Sequence, residues 1–253
     1  MSRIAKLALI AISALPALSA ANAHDFFLLP DVLKVGSGPV VISATVGSAF
    51  PTPENVVTED RIATATAKAS AGTRRIAVVG PKDKALELSL DPAAGPTIVG
   101  VALKARDVDY GEDRIDLILG EYQVSAAAKA KVAALPRPRT LKVDSRRFAK
   151  TIVCRATCEG VVSIPAHDFE LEFVPVKSNR FRLMQTGLPL ADYPVTIAGS
   201  DGKRHEHRTN AAGDVEVGSD IGAPIMLFAS TLALPAAPGE RFILRLTSLT
   251  AER

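Results

Sequence analysis

The chain has 253 residues; with 47% hydrophobic and 23% charged residues it matches the globular average, which excludes wholesale disorder. Its 17 prolines and 17 glycines follow no fixed period, which excludes a fibre and points to many turns. A formal charge of +3, with no block of Lys or Arg, gives no footprint for nucleic acid or an anionic membrane surface.

Residues 1–23 read as a secretory signal peptide. Arg3 and Lys6 form a basic start, Leu7 to Leu18 a mostly apolar run, and Ala21-Asn22-Ala23 a small-x-small cleavage site. Cleavage after Ala21, through Ser19-Ala20-Ala21, fits the same rule, and both cuts stay open. The run is short for a membrane span, and no other run approaches about 18 apolar residues, so no stable membrane insertion is expected. Removal takes two basic residues and no acidic one, which leaves a nearly neutral exported chain.

Strand signals dominate beyond residue 23. Val40 to Val46 comes after Ser37-Gly38-Pro39, Arg61 to Ala67 alternates with threonine, and Arg75 to Val79 stops at Gly80-Pro81. Leu86, Leu88 and Leu90 alternate with Glu87 and Ser89, and Thr97 to Ala105 is mostly apolar. Short strands punctuated by Gly and Pro about every 10 to 15 residues predict a β-sandwich. From Glu112 to Leu135 the pattern changes. Alanine is dense, and Ile115, Ile118, Leu119 and Tyr122 recur at helical spacing, which predicts a helical insertion over 112–135. Gly120 is expected to divide it, and Leu135-Pro136-Arg137-Pro138 to end it.

Arg146 to Val153 leads into Cys154 and Cys158. Two cysteines four residues apart in an exported chain predict a disulfide that clamps a turn at a strand end. A cysteine zinc site needs about four ligands, and the chain has no second pair. His167-Asp168 reads as a loop-to-strand boundary, and Asp168 to Pro175 alternates as a strand leaving one unit. From Asn179 the pattern restarts in Phe181–Met184, Val195–Ala198, Lys203–Thr209, Val215–Val217, Ile225–Ser230 and Phe242–Leu249. The predicted fold is mostly β: two β-sandwich domains, immunoglobulin- or transthyretin-like. The first covers 24–175 with the helical insertion, and the smaller second covers 176–253.

Two histidine features carry possible chemistry. Cleavage after Ala23 gives His24 a free amine beside its imidazole, and the two nitrogens can chelate one ion, with Asp25 adding an oxygen; such a donor set suits Cu(II) or Ni(II). Cleavage after Ala21 places His24 third, where amine, backbone nitrogens and imidazole bind the same ions. In His205-Glu206-His207 alternation puts both histidines on one strand face, with Cα atoms about 6.5 to 7 Å apart. A two-residue Asp201-Gly202 turn sets them beside Thr196 and Ala198. A three-residue Ser200-Asp201-Gly202 loop sets them beside Val195 and Ile197, towards the core, and the sequence leaves both registers open. No Gly-x-Ser-x-Gly, His-Glu-x-x-His, phosphate loop or dinucleotide fingerprint is present, and no catalytic activity is expected.

The stretch His24-Asp25-Phe26-Phe27-Leu28-Leu29-Pro30 resembles the His-Asp-Phe-Trp-Leu-x-Pro opening of a bacterial periplasmic family, a domain of formally unknown function. Its members are commonly described as nickel- or cobalt-uptake accessory proteins. Val46-Gly47-Ser48-Ala49-Phe50-Pro51, Arg147-Phe148-Ala149-Lys150-Thr151-Ile152-Val153 and Leu171-Glu172-Phe173-Val174-Pro175 are similar to later pieces of that pattern. So are Gly187-Leu188-Pro189-Leu190-Ala191, Thr209-Asn210-Ala211-Ala212-Gly213 and Thr247-Ser248-Leu249-Thr250. The chain departs at Phe27, where the family carries Trp, and in Ile225 to Ser230, which lacks a histidine expected there. The resemblance implies a periplasmic accessory that binds or delivers Ni, Co or Cu and meets an envelope transporter component. The alternative is a metal-free envelope scaffold.

Overall fold

The computed structural model describes residues 24–237 and 239–252, so the signal-peptide expectation for residues 1–23 lies outside the described residues. The chain is mostly β, with several antiparallel sheets and two short helices, consistent with a β-sandwich. In chain order come β1 (Asp25–Pro30), β2 (Lys34–Val35), β3 (Val40–Gly47), β4 (Asn55–Val56), β5 (Ile62–Ala69), β6 (Gly72–Arg75) and β7 (Ala77–Lys82). β8 (Ala85–Leu90), β9 (Gly95–Leu103) and β10 (Arg106–Gly111) lead to α1 (Glu112–Glu121) and α2 (Ala126–Ala133). β11 (Thr140–Arg155), β12 (Leu171–Lys177), β13 (Arg180–Gln185), β14 (Leu188–Pro189) and β15 (Pro194–Ala198) follow. The chain closes with β16 (Arg204–Arg208), β17 (Asp214–Glu216), β18 (Ile225–Ala233) and β19 (Phe242–Ala251).

One sheet runs β1-β3-β8-β7, with β4 on β3. A second runs β16-β15-β18-β19-β11-β9-β5-β6, with β10 and β2 also on β11. A third runs β12-β13-β14, with β17 on β13. The expected boundary at 175/176 falls inside β12, which pairs with β13 across it. The two segments also share the large sheet, because β11 and β19 pair in parallel from Val143↔Phe242 to Thr151↔Thr250.

The alternation of β11, which is 16 residues long, sorts the interior. On one face Ala149 and Val153 enter the core between the first two sheets, with Leu28, Ile42, Leu88 and Val101. On the other face Phe148 and Ile152 enter a core with Phe173, Phe181, Ile197 and Leu227. Near its start, Leu141 and Val143 meet the helices. Ile115, Ile118 and Leu119 of α1 and Val132 of α2 pack there on Phe228, Phe242 and Leu244. The insertion thus covers strands from both segments, since β19 lies between β11 and β18. Gly120 sits inside α1; the division comes at Gln123, whose φ is 47°, and Ser125 caps α2 by accepting from Ala128 N at 3.3 Å.

Cys154 and Cys158 form the predicted disulfide at the end of β11, with Cα atoms 5.2 Å apart. No helix among the described residues is long and apolar enough to cross a membrane.

Candidate functional site

His24 stands exposed at the start of β1, and its imidazole Nε2 lies 3.4 Å from Glu54 Oε2. A tight turn after β3 makes that approach possible. A Cβ on Gly47 would stand 2.5 Å from the Thr52 carbonyl oxygen, so the turn admits no side chain there. The turn brings Glu54 N to donate to Val46 O at 3.2 Å, next to the strand that pairs Gly47 with Asp25. Ser48 Oγ donates to Glu54 Oε1 at 2.6 Å and holds the Glu54 carboxyl below its ordinary range. Arg147 donates to the His24 carbonyl at 2.8 Å.

Asp25 takes a different course. Its side chain is buried, and Arg204 donates to Oδ2 at 2.7 Å, while Oδ1 is buried without a partner. Burial pushes its carboxyl up to about 6, against the opposing pull of the Arg204 guanidinium. Arg204 also lies over the Phe228 ring, 5.7 Å from its centroid. The expected Asp25 ligand is thus buried in the fold, with one oxygen engaged by Arg204.

The hairpin adopts the three-residue loop. Gly199 N donates to Lys203 O, and His205 pairs with Ile197 and His207 with Val195. Both histidines therefore share the sheet face of Val195 and Ile197, which belong to the third-sheet core. Arg204 and Glu206 occupy the other face, where Arg204 meets Asp25 and Gln123 donates to Glu206 at 2.7 Å. His24 and the histidine pair are not brought together. Among the described residues no group of three or more His, Cys, Asp or Glu is placed to hold a metal ion.

A buried charge cluster went unseen in the sequence. Lys150 of β11 donates to Glu172 Oε2 at 2.6 Å and to Phe173 O at 2.7 Å, and both charged side chains are buried. Glu172 also accepts from His167 N at 3.0 Å and Phe169 N at 3.2 Å. Burial pulls the Lys150 amine down, with Glu172 opposing. His167 lies against Gly100, where a Cβ would stand 2.3 Å from its Cδ2. Its ring nitrogens are buried, and burial, with Lys150 and Lys68 adding charge, lowers its pKa to about 3 against an opposing pull from the Thr66 backbone. The ring is neutral and wedged. The two stretches around Lys150 and Glu172 thus meet in one structural knot.

A cavity of about 470 Å³ opens beside His24, walled by Arg61, Arg106, Ser145 and Arg147. Alternation explains the grouping. Arg106 and Val108 pair with Ser145 and Val143 across the β10–β11 ladder, and Arg147 follows Ser145 on the same face. Counting Lys and Arg blocks along the chain missed these arginines because they come from three separate elements. The alternating Arg106-Asp107-Val108-Asp109-Tyr110 run was the available signal. No protein-family model matches this chain, and comparison with curated proteins finds no match.

Proposed function

We propose that this is an exported, periplasmic accessory protein that binds Ni, Co or Cu at His24, for uptake or homeostasis, without catalysing a reaction. The observation that carries the reading is the contact between His24 Nε2 and Glu54. Metal-bound histidines characteristically give their second nitrogen to a carboxylate, which orients the ring. Glu54 is suited to that part because Ser48 holds it ionised. The donor set left for the ion is Nδ1 with the amine that signal cleavage creates, a pair that closes a six-membered chelate ring. Asp25, His205 and His207, expected as further ligands, are left out of this set. An envelope transporter component is the partner this role requires.

The same reading takes 24–175 and 176–253 as two sandwiches of immunoglobulin or transthyretin type, fused through β11 and β19. The separate apolar cores on the two faces of β11 support it. The resemblance to the nickel- and cobalt-uptake family belongs to the proposal as well. A metal-free envelope scaffold is the second reading, favoured by the commitment of Asp25 to Arg204.

Titration of the exported protein with Cu(II) and Ni(II) decides between them. His24→Ala and a form with Met before His24 are expected to weaken binding at least tenfold, while Glu54→Gln weakens it less. The His205→Ala/His207→Ala double variant is expected to leave it unchanged. Binding no tighter than about millimolar in the unaltered protein would support the scaffold.

A further inference from the structure

The cavity beside His24 is lined by three arginines and by aliphatic side chains, with the polar Asn55, Thr58 and Ser145 among them. The carboxylates near Arg106 and Arg147 in sequence are taken by other cations, Asp107 and Asp109 by Arg241 at 3.0 and 2.5 Å, and Asp144 by Arg146 at 2.6 Å, while Glu59 and Asp60 beside Arg61 are exposed and do not line the cavity. Alternation causes this, since Asp107, Asp109 and Asp144 point to the sheet face opposite Arg106, Ser145 and Arg147. Arg61, Arg106 and Arg147 form no ion pair among the described residues. Arg61 donates to the Lys104 carbonyl at 2.9 Å, and its Nε is buried without a partner. Arg147 is held by the His24 carbonyl and, at 3.4 Å, by the Tyr122 hydroxyl oxygen. Three guanidinium groups around one opening that no carboxylate lines are arranged for an anion.

We propose that this cavity binds a small organic anion with two or more carboxylates. Guanidinium forks match carboxylates in paired hydrogen bonds, and three forks exceed what one carboxylate can use. Val46, Val56, Val57, Leu103 and Val108 also line the cavity, beside the polar Asn55 and Thr58, and this aliphatic surface suits a carbon skeleton better than inorganic phosphate. The volume, about 470 Å³, lies in the range of small-molecule sites. An anion seated there also offsets the guanidinium charge that opposes a dication at His24. That consequence rests on the metal reading; the anion site does not.

Citrate is the probe, titrated calorimetrically into the exported protein without added metal. Arg106 is exposed and its side chain makes no hydrogen bond to the backbone, so Arg106→Ala tests the site without disturbing the fold. Citrate affinity is expected to fall about tenfold in Arg106→Ala and at least a hundredfold when Arg147→Ala is added. Arg75→Ala, an exposed arginine outside the cavity, is expected to change nothing, and unfolding curves confirm that each variant is folded. Equal citrate affinity in the unaltered protein and folded Arg106→Ala would overturn the proposal. Phosphate binding as tightly as citrate would overturn its organic part. Loss of Cu(II) binding with these citrate losses intact removes the metal reading and leaves the anion site standing. Cu(II) bound at His24 with citrate no tighter than millimolar overturns the anion site alone.

Discussion

Lys150 and Arg147 lie three residues apart on β11 and point to opposite faces of the same strand. Lys150 is fully buried, yet its ammonium meets a carboxylate and a carbonyl, and that carboxylate in turn accepts two backbone N–H groups. Arg147 is half-buried and meets only a carbonyl and a phenol, in company with two other arginines that lack a counter-charge. Burial forces complete pairing on the first face, because an unpaired ion in the interior is too costly to keep. On the second face solvent tolerates the missing anions. The first cluster is therefore explained by folding alone, whereas the second is left for a ligand.

The largest test of this contrast is acid. His167 carries a pKa of about 3 in the fold against 6.5 when free, so the unfolded chain binds the extra proton between those values. Its contribution is fully present above pH 6.5 and is lost as pH falls towards 3, by up to ~5 kcal/mol. Asp25 opposes it by up to ~3 kcal/mol: with a folded value of about 6 against 3.8, its burial cost fades as pH falls from 6 towards 3.8. Over pH 7 to 4 the two largely cancel, so the His167 share is read by comparison: in urea unfolding the unaltered protein is expected to lose ~3 kcal/mol relative to His167→Phe as pH falls to 4. An unchanged slope in that variant would break the account of the buried face.

Breaking the buried pair comes next. Glu172→Ala leaves Lys150 without its carboxylate and two backbone donors without an acceptor, and is expected to cost ~3–5 kcal/mol by denaturant unfolding. Lys150→Met together with Glu172→Gln is expected to recover part of that loss. Gly100→Ala drives a methyl into the His167 ring and is expected to cost ~1–3 kcal/mol. A smaller cost for the same change in a His167→Ala background would trace the penalty to this contact. Reduction of Cys154–Cys158, which closes a short loop, is expected to cost a similar ~2 kcal/mol. None of these changes is expected to move affinity at the opposite face.

Legibility in the sequence followed the range of the interaction. Gly and Pro punctuation placed β3 and β8, helical spacing of Ile115, Ile118 and Leu119 placed α1, and cysteine spacing placed the disulfide. β10 was missed because Arg106 to Gly111 carries three charges in six residues and its alternation rests on Val108 and Tyr110 alone. The histidine hairpin stayed open because its register turns on one backbone bond, between Gly199 and Lys203. The Lys150–Glu172 knot and the arginine cavity depend on which distant strands become neighbours. His24 was visible as a candidate ligand, but Glu54, thirty positions away and returned by the Gly47 turn, was not.

Thermal unfolding of the protein prepared to begin at His24, with and without Cu(II), beside the form carrying Met before His24, tests the central claim most directly. A ligand that binds only the folded state at about 100 times its Kd adds ~2.7 kcal/mol. For a chain of this size that raises Tm by about 5 to 10 °C. The account predicts this rise for the protein whose first residue is His24 and little or none for the Met-extended form. An equal rise in both, or no rise in either, would contradict it.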